Sequence, residues 1–552
     1  MRAPLFLFED THPSSPSERV GAKRRKIAFP PNSYGLTIHC CVPQSLTPRG
    51  PQLLRPPADA FGSVRDGIPC STKRFRDSSR MEKNFFSGHQ VEVSRLDSGS
   101  STDGQLPLFE HRELLSGEYW RRIPGFSKVA SEEFQTHGFQ QRATVTSVAQ
   151  LRTTLGGLAS DAFFDDLADG IRNAPMALRI SPHLLSLIDW EDPAADPIRT
   201  QFLPLRSCQQ PDHPMLQLDS LAERKDSPVP GLTHRYPDKA LFLPVDTCPV
   251  YCRFCTRSYA VGAGTELVSE KLKLHANQAR WEAAFTYIES HPGLEDIVIS
   301  GGDSYNLRSE HLEAIGRRLL GIPHVRRIRF ATKGLCVMPQ KILSDVHWTD
   351  ALTRVVELAR SLHKSAVVHT HFNSPNEIVE VTQRAMNLLV ERGITVRCQT
   401  VLQRGVNSDA EVMQLLIKRL GYINIQPYYV YFHDLVPGVE DLRTSLADGL
   451  QVEKRVRGTT AGFHTPAFVV DTMGGGGKRD AHSFEYYDKE NGIAVFTSPS
   501  VKPGERFLYF DPLESLGESA QERWQIPSER RAMVGEALEW RGEPFRGLEW
   551  RD

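Results

Sequence analysis

Between residues 240 and 430 the chain alternates short β-branched apolar runs with longer stretches in which apolar residues recur at i, i+3 and i+4. Strands are predicted at 240–245, 296–300, 327–332, 366–370, 394–401 and 423–430, six in all. The intervening amphipathic pieces, among them His311 to Leu320, Ile378 to Leu389 and Glu411 to Leu420, read as helices. Regular βα repetition of this kind means a parallel sheet covered by helices. In α/β barrels the functional residues gather at the C-terminal ends of the strands. The expected fold is therefore α/β, a partial (β/α)6 barrel spanning 226–510.

The flanks have other patterns. Residues 1–104 are rich in Pro, Ser, Gly and Arg without a sustained period, the composition of a disordered extension. Lys23-Arg-Arg-Lys26 within it reads as a solvated basic run, with a nuclear address as the alternative. Over 105–225 helical periodicity returns, in Thr146 to Arg152, Phe163 to Arg172 and Pro182 to Asp189, as a helical subdomain. Asp226-Ser-Pro-Val-Pro-Gly-Leu-Thr-His-Arg-Tyr-Pro237 is a Pro/Gly-punctuated connector that cannot lie inside a helix. The tail, 511–552, carries an amphipathic stretch from Ser528 to Leu538 that could cover a neighbouring subunit.

At 552 residues with a formal net charge of −1, nothing in the balance points to nucleic acid or to an anionic membrane surface. No apolar run approaches the roughly 18 to 20 residues of a membrane span. The opening apolar residues stop at Glu9 and Asp10, too early for a secretory signal, so the expectation is a soluble cytoplasmic protein with a mitochondrial address as the alternative. Nine cysteines, scattered singly apart from the Cys40-Cys41 pair and one three-thiol loop, do not form a disulfide framework.

Three of those cysteines carry the chemistry. Cys248-Pro-Val-Tyr-Cys252-Arg-Phe-Cys255 follows the predicted strand 240–245, and thiolates select zinc, copper(I) or iron–sulfur clusters. A zinc site would want a fourth ligand at finger-like spacing, and none lies nearby. A [4Fe–4S] cluster normally takes four thiolates, so three on one tight loop leave one iron open to an outside ligand.

Further signals sit at other strand ends. Ser300-Gly301-Gly302-Asp303 ends a strand with glycines that allow close backbone approach to a ligand, or that form only a turn. Asp471-Thr-Met-Gly-Gly-Gly-Gly-Lys478 lacks the Gly and Ser/Thr positions of a phosphate-binding Walker loop. A lysine on such a glycine platform can form a Schiff base with pyridoxal phosphate; a surface charge is the plain alternative. Asp434 and Asp471 close predicted strands and can project into one cavity, where a cationic substrate end would pair them, or each can cap a turn. His369 and His371 alternate on a strand, with one expected to face the interior and the other to pack under a helix as ordinary core histidines.

Taken together, the thiol loop with Thr256-Arg257, Ser300 to Asp303, Thr370-His-Phe-Asn-Ser-Pro-Asn-Glu377, Val401-Leu-Gln-Arg-Gly-Val-Asn407, Pro427 to Tyr431 and Phe468 to Lys478 resemble the lysine 2,3-aminomutase family of radical S-adenosylmethionine enzymes. The resemblance runs from about residue 119 to 495. It implies a [4Fe–4S] cluster on Cys248, Cys252 and Cys255, S-adenosylmethionine held near Ser300, Gly301, Gly302, Asp303, His371 and Gln399, and pyridoxal phosphate on Lys478. By the same likeness Arg235 and Lys239 would hold the phosphate group and Tyr236 would pack on the ring. Lys239 stands where the family has arginine, which keeps the charge but loses the bidentate fork. Arg257 would bind the amino-acid carboxylate as a two-point pair, and Asp434 and Asp471 the distal ammonium.

The implied reaction is radical migration of the 2-amino group of lysine to C3, giving β-lysine. An electron donor to the cluster and self-association as a homo-oligomer are also expected. Alternatives are an aminomutase for another amino acid such as arginine, a radical enzyme acting on protein-bound lysine, and a sensor that kept the scaffold. No cysteine follows Cys398, and Asp409 stands at the family's barrel ligand position, so zinc is not expected.

Overall fold

The computed structural model describes residues 110–540. The expected extension at 1–104 and the end of the tail lie outside the described residues. The central sheet has nine strands in sequence order: β1 (Leu232–Tyr236), β2 (Lys239–Val245), β3 (Asp296–Gly301), β4 (Arg327–Ala331), β5 (Ser365–Thr370), β6 (Val396–Val401), β7 (Gln426–Tyr431), β8 (Ala467–Thr472) and β9 (Gly477–Asp480). Strands β2 to β8 are mutually parallel, whereas β1 and β9 run antiparallel to their neighbours at the two edges.

Each of the six parallel crossovers contains one long helix: Gln278–Glu289, Ser309–Leu320, Val346–Ser361, Glu380–Glu391, Ala410–Tyr422 and Leu446–Val456. The (β/α)6 expectation thus matches the units, and β8, the apolar run leading to Asp471, adds a seventh parallel strand to the six of the predicted βα series. Local sequence explains these helices. Leu312, Ile315, Gly316 and Leu319 lie on one buried face of the second, at the spacing that brings side chains onto one side of a helix. A Cβ at Gly316 would come within 2.6 Å of Val355, so glycine sets how closely that helix meets the next. Asp409 caps Ala410–Tyr422 by accepting N–H bonds from Glu411 and Val412.

Sequence pattern missed the edges. The second half of the connector forms β1, pairing Leu232 with Phe242 and Thr233 with Leu241. The ladder closes no hydrogen bonds between β1 and β9. A side chain bridges them instead, the Tyr236 hydroxyl oxygen accepting from the Lys478 N–H at 2.8 Å.

The predicted N-terminal helices form as Val148–Leu155, Asp161–Arg172 and Pro182–Leu187, with Ser147, Ser160 and Ser181 as their N-caps. Their buried residues, including Leu151, Phe164 and Leu184, belong to the same apolar core as Phe242, Ile299 and Phe330 of the sheet. A second sheet, β10 (Tyr486–Asp488), β11 (Ile493–Ser498) and β12 (Lys502–Phe510), was not among the predicted strands. Helices Glu518–Gln525 and Pro527–Glu539 pack on it through Trp524, Met533 and Ala537. Among the described residues no helix is long and apolar enough to cross a membrane.

Candidate active site

A cavity of about 450 Å³ opens inside the barrel, and all sixteen site residues named from sequence line it, from Arg235 on β1 to Lys478 on β9. Strand ends and the loops after them supply these positions, as a parallel barrel requires.

The thiol loop follows β2. Cys248, Cys252 and Cys255 are free thiols, Cys255 accepting a backbone N–H bond from Arg257, and burial pushes all three up, Cys252 to about 12. Among the described residues no three His, Cys, Asp or Glu side chains form a preassembled ligand cage. The donor set nevertheless fits a thiophilic cluster: three free thiols on eight residues of one loop, facing one cavity, which must lose their protons to bind metal.

Ser300, Gly301 and Gly302 line the cavity beside that loop, and the structure gives the glycines a backbone reason besides room for a ligand. The glycines approach protein backbone. A Cβ at Gly301, where φ is +96°, would come within 2.1 Å of the Val245 carbonyl oxygen, and one at Gly302 within 2.4 Å of the Thr247 carbonyl oxygen. Gly302 and Asp303 donate backbone N–H bonds to those two carbonyls, at 2.6 and 3.0 Å. The pair clamps the end of β3 to the start of the thiol loop. Asp303 in turn accepts from the N–H groups of Tyr305 and Lys333, both at 2.8 Å.

His369 and His371 both line the cavity, contrary to the expectation that one packs under a helix. Residues two apart on extended backbone point the same way. Nε2 of His371 lies 2.9 Å from Asn373 Oδ1, which makes it the donor nitrogen. His369 Nδ1 lies 3.2 Å from Gln399 Nε2, and His369 Nε2 is buried without a partner among the described residues.

On the other wall, Lys478 extends from β9 and donates to Asp471 Oδ2 at 2.8 Å. Burial opposes its charge, but Asp471 together with Tyr431 and Tyr236 holds its pKa well above the ordinary lysine value. The glycine run has a local cause at each position: φ is positive at Gly474, Gly475 and Gly477, and a Cβ at Gly476 would meet Phe507 and Thr472 at 2.4 Å. Lys239 Nζ lies 4.2 Å from the Tyr236 ring centroid. Arg235 donates Nε to Asp226 at 2.7 Å and Nη2 to the Leu221 carbonyl, leaving Nη1 without a partner among the described residues. An accessible lysine amine beside a cationic pair suits an aldehyde cofactor with a phosphate tail.

Asp434 accepts from the Thr256 hydroxyl at 2.6 Å. Burial, then the charge of Asp471, pushes its carboxyl up to about 7. Asp471 Oδ1 is buried and unpartnered among the described residues, leaving an acceptor for a cation. Arg257 is engaged by a residue the sequence reading did not name: Glu223 accepts from its Nε at 2.9 Å and Nη2 at 2.7 Å. Thr256 and Tyr431 were within quoted motifs but had no assigned role. Asp226 and Glu223 carried no local signal beyond being acidic residues near the connector.

A parallel (β/α) barrel with a three-thiol loop at one strand end, and a glycine-borne lysine paired to a carboxylate in the same cavity, has the makings of a radical S-adenosylmethionine aminomutase. The chain is 39% identical over 355 residues to the L-lysine 2,3-aminomutase of Acetoanaerobium sticklandii, covering 64% of this chain and 80% of that protein. It is 34% identical over 362 residues to the Bacillus subtilis L-lysine 2,3-aminomutase, covering 65% and 71%. The glutamate 2,3-aminomutase of Clostridioides difficile matches at 32% identity, covering 54% of this chain and 66% of that protein. The chain belongs to the lysine 2,3-aminomutase family. No family model matches it. Solved structures resemble it weakly: SuiB of Streptococcus suis with S-adenosylmethionine has a TM-score of 0.31 at 14% identity, covering 43% of this chain and 51% of that one, too little to carry weight.

Proposed function

We propose that the protein moves the 2-amino group of L-lysine to C3, giving β-lysine. The observation that carries the reading is the presence of two carboxylates with spare acceptor capacity, Asp434 and Asp471, in the cavity that also holds the Arg257 cation. Lysine supplies an ammonium for the carboxylates and a carboxylate for the arginine. A glutamate side chain would bring a third carboxylate toward them. At 4 Å and an effective dielectric near 20, each such contact costs about 4 kcal/mol.

Cys248, Cys252 and Cys255 would hold a [4Fe–4S] cluster, with Ser300, Gly301, Gly302, Asp303, His371 and Gln399 near its S-adenosylmethionine. Lys478 would carry pyridoxal phosphate, with Arg235 and Lys239 toward the phosphate and Tyr236 beside the ring. When bound, these groups supply a hydrogen-abstracting radical and a π-system through which nitrogen migrates. The chain's own part is binding and proton placement. Asp471 holds the Lys478 amine as ammonium, and Lys478 must give up that proton before it bonds an aldehyde. A substrate ammonium is the replacement cation that keeps the buried Asp471 paired once Lys478 leaves it. Barrel walls exclude water and fix the reacting atoms.

The test is anaerobic reconstitution with iron, sulfide, S-adenosylmethionine, pyridoxal phosphate and reductant, followed by mass-resolved chromatography after incubation with lysine, arginine or glutamate. β-Lysine is expected from lysine alone, and none from Cys252→Ala or Lys478→Ala. Cleavage of S-adenosylmethionine without isomerisation of any free amino acid would sink the substrate assignment and point to a protein-bound lysine.

A further inference from the structure

Glu223 sits on the turn before β1, four per cent exposed, and its carboxylate is fully engaged. Oε1 accepts from Arg257 Nη2 at 2.7 Å, and Oε2 from Arg257 Nε and from the Tyr259 hydroxyl, both at 2.9 Å. The turn is itself fixed: Asp219 accepts the N–H groups of Glu223 and Arg224, each at 3.0 Å, and Ala222 holds φ at +52°. Burial opposes the charge of Glu223, but Arg257 outweighs it and keeps the carboxyl below the usual range.

A guanidinium has two edges that can meet a carboxylate with paired N–H groups, one through Nε and one Nη, the other through both Nη. Glu223 takes the first. The second, with Nη1 free of partners among the described residues, remains on a residue that lines the cavity. We propose that Glu223 is a positioning residue that locks Arg257 with its Nη1–Nη2 edge presented to the α-carboxylate of the substrate. The proposal rests on the reading of the cavity as an amino-acid site.

It makes a prediction opposite in sign to simple electrostatics. Glu223 is an anion close to where a substrate anion would bind, so removing its charge should tighten binding if charge alone mattered. If orientation dominates, removal weakens binding, because an unlocked arginine must be ordered anew each time.

Calorimetric titration of the reconstituted full-chain protein with L-lysine and with L-lysinamide, which keeps both amines but lacks the carboxylate, separates the two. In Glu223→Gln the Kd for lysine should rise at least tenfold while that for lysinamide changes less than twofold. Tyr259→Phe, which removes one supporting bond, should give a smaller effect, roughly threefold, with the same selectivity; it decides the matter if the first variant does not fold. Tighter or unchanged lysine binding, or equal weakening for both ligands, overturns the proposal. β-Lysine formation, followed in the same wild-type preparation, tests the function separately: failure to form it while carboxylate-selective weakening persists refutes the reaction and leaves the role of Glu223 standing.

Discussion

Replacing Asp434 with asparagine tests the cavity's electrostatics most directly. Thr256 donates to Asp434 Oδ2, and an asparagine carbonyl can take that bond, so the change removes charge with little change of shape. Breaking a buried ion pair by neutralising one partner costs about 3–5 kcal/mol. Asp471 remains to hold the substrate ammonium, which argues for the lower end. At 1.4 kcal/mol per tenfold, Asp434→Asn should weaken lysine binding by about 100-fold. The pH dependence follows from the raised pKa. Before lysine binds, the Asp434 carboxyl titrates at about 7, through burial and the charge of Asp471. A substrate ammonium favours the ionised form, so protons compete with lysine: affinity is full above about pH 7 and falls toward tenfold per unit below it.

Stability of the protein without lysine should move the other way. A carboxyl whose folded pKa is raised costs stability that is absent below its unfolded value near 3.9 and fully present above about 7. Asp434→Asn should therefore raise the melting temperature at pH 8 and leave it little changed at pH 4. The assay is lysine Kd by calorimetry from pH 5.5 to 8 alongside thermal melts. A wild-type Kd flat across that range, with Asp434→Asn within threefold of it, would refute the reasoning.

Two further outcomes are expected. Cys336 and Cys398 are buried thiols, the latter accepting from the Phe372 N–H at 3.4 Å, so changing either to alanine should leave iron per chain in the reconstituted protein unaltered, while Cys252→Ala lowers it. Gly476→Ala places a methyl 2.4 Å from Phe507 and Thr472; overpacking of this kind costs about 1–3 kcal/mol, seen as a melting temperature several degrees lower, whereas Gly462→Ala, with nothing within 4 Å, should change little.

The βα series, the N-terminal helices and the thiol loop were legible because each is a local pattern. A crossover helix advertises itself by apolar spacing within a dozen residues, as Leu312, Ile315 and Leu319 do. The thiols lie within eight consecutive residues, and Lys478 directly follows its own run of glycines. The inference that Asp434 and Asp471 share a cavity also came from local reasoning, since Asp434 follows β7 and Asp471 lies near the end of β8, parallel strands whose C-terminal ends converge.

Periodicity gave no hint of β1 and β9, because an antiparallel edge strand of four or five residues is too short to show one, and the small sheet β10 to β12 went unseen for want of any crossover pattern. The same limit hid the reason for Gly301 and Gly302, which is the backbone of a loop some fifty residues earlier. It also hid Glu223, whose partner Arg257 lies 34 residues on, and the closure of the barrel by Tyr236 on Lys478, 242 residues apart. What the sequence determined by itself was therefore the kind of elements and the chemistry at their ends, since propensity, period and ligand spacing act between near neighbours. Which acceptor each cation meets was decided only by the tertiary structure, because a buried charge takes the partner that folding brings within 3 Å, and no local pattern encodes that distance.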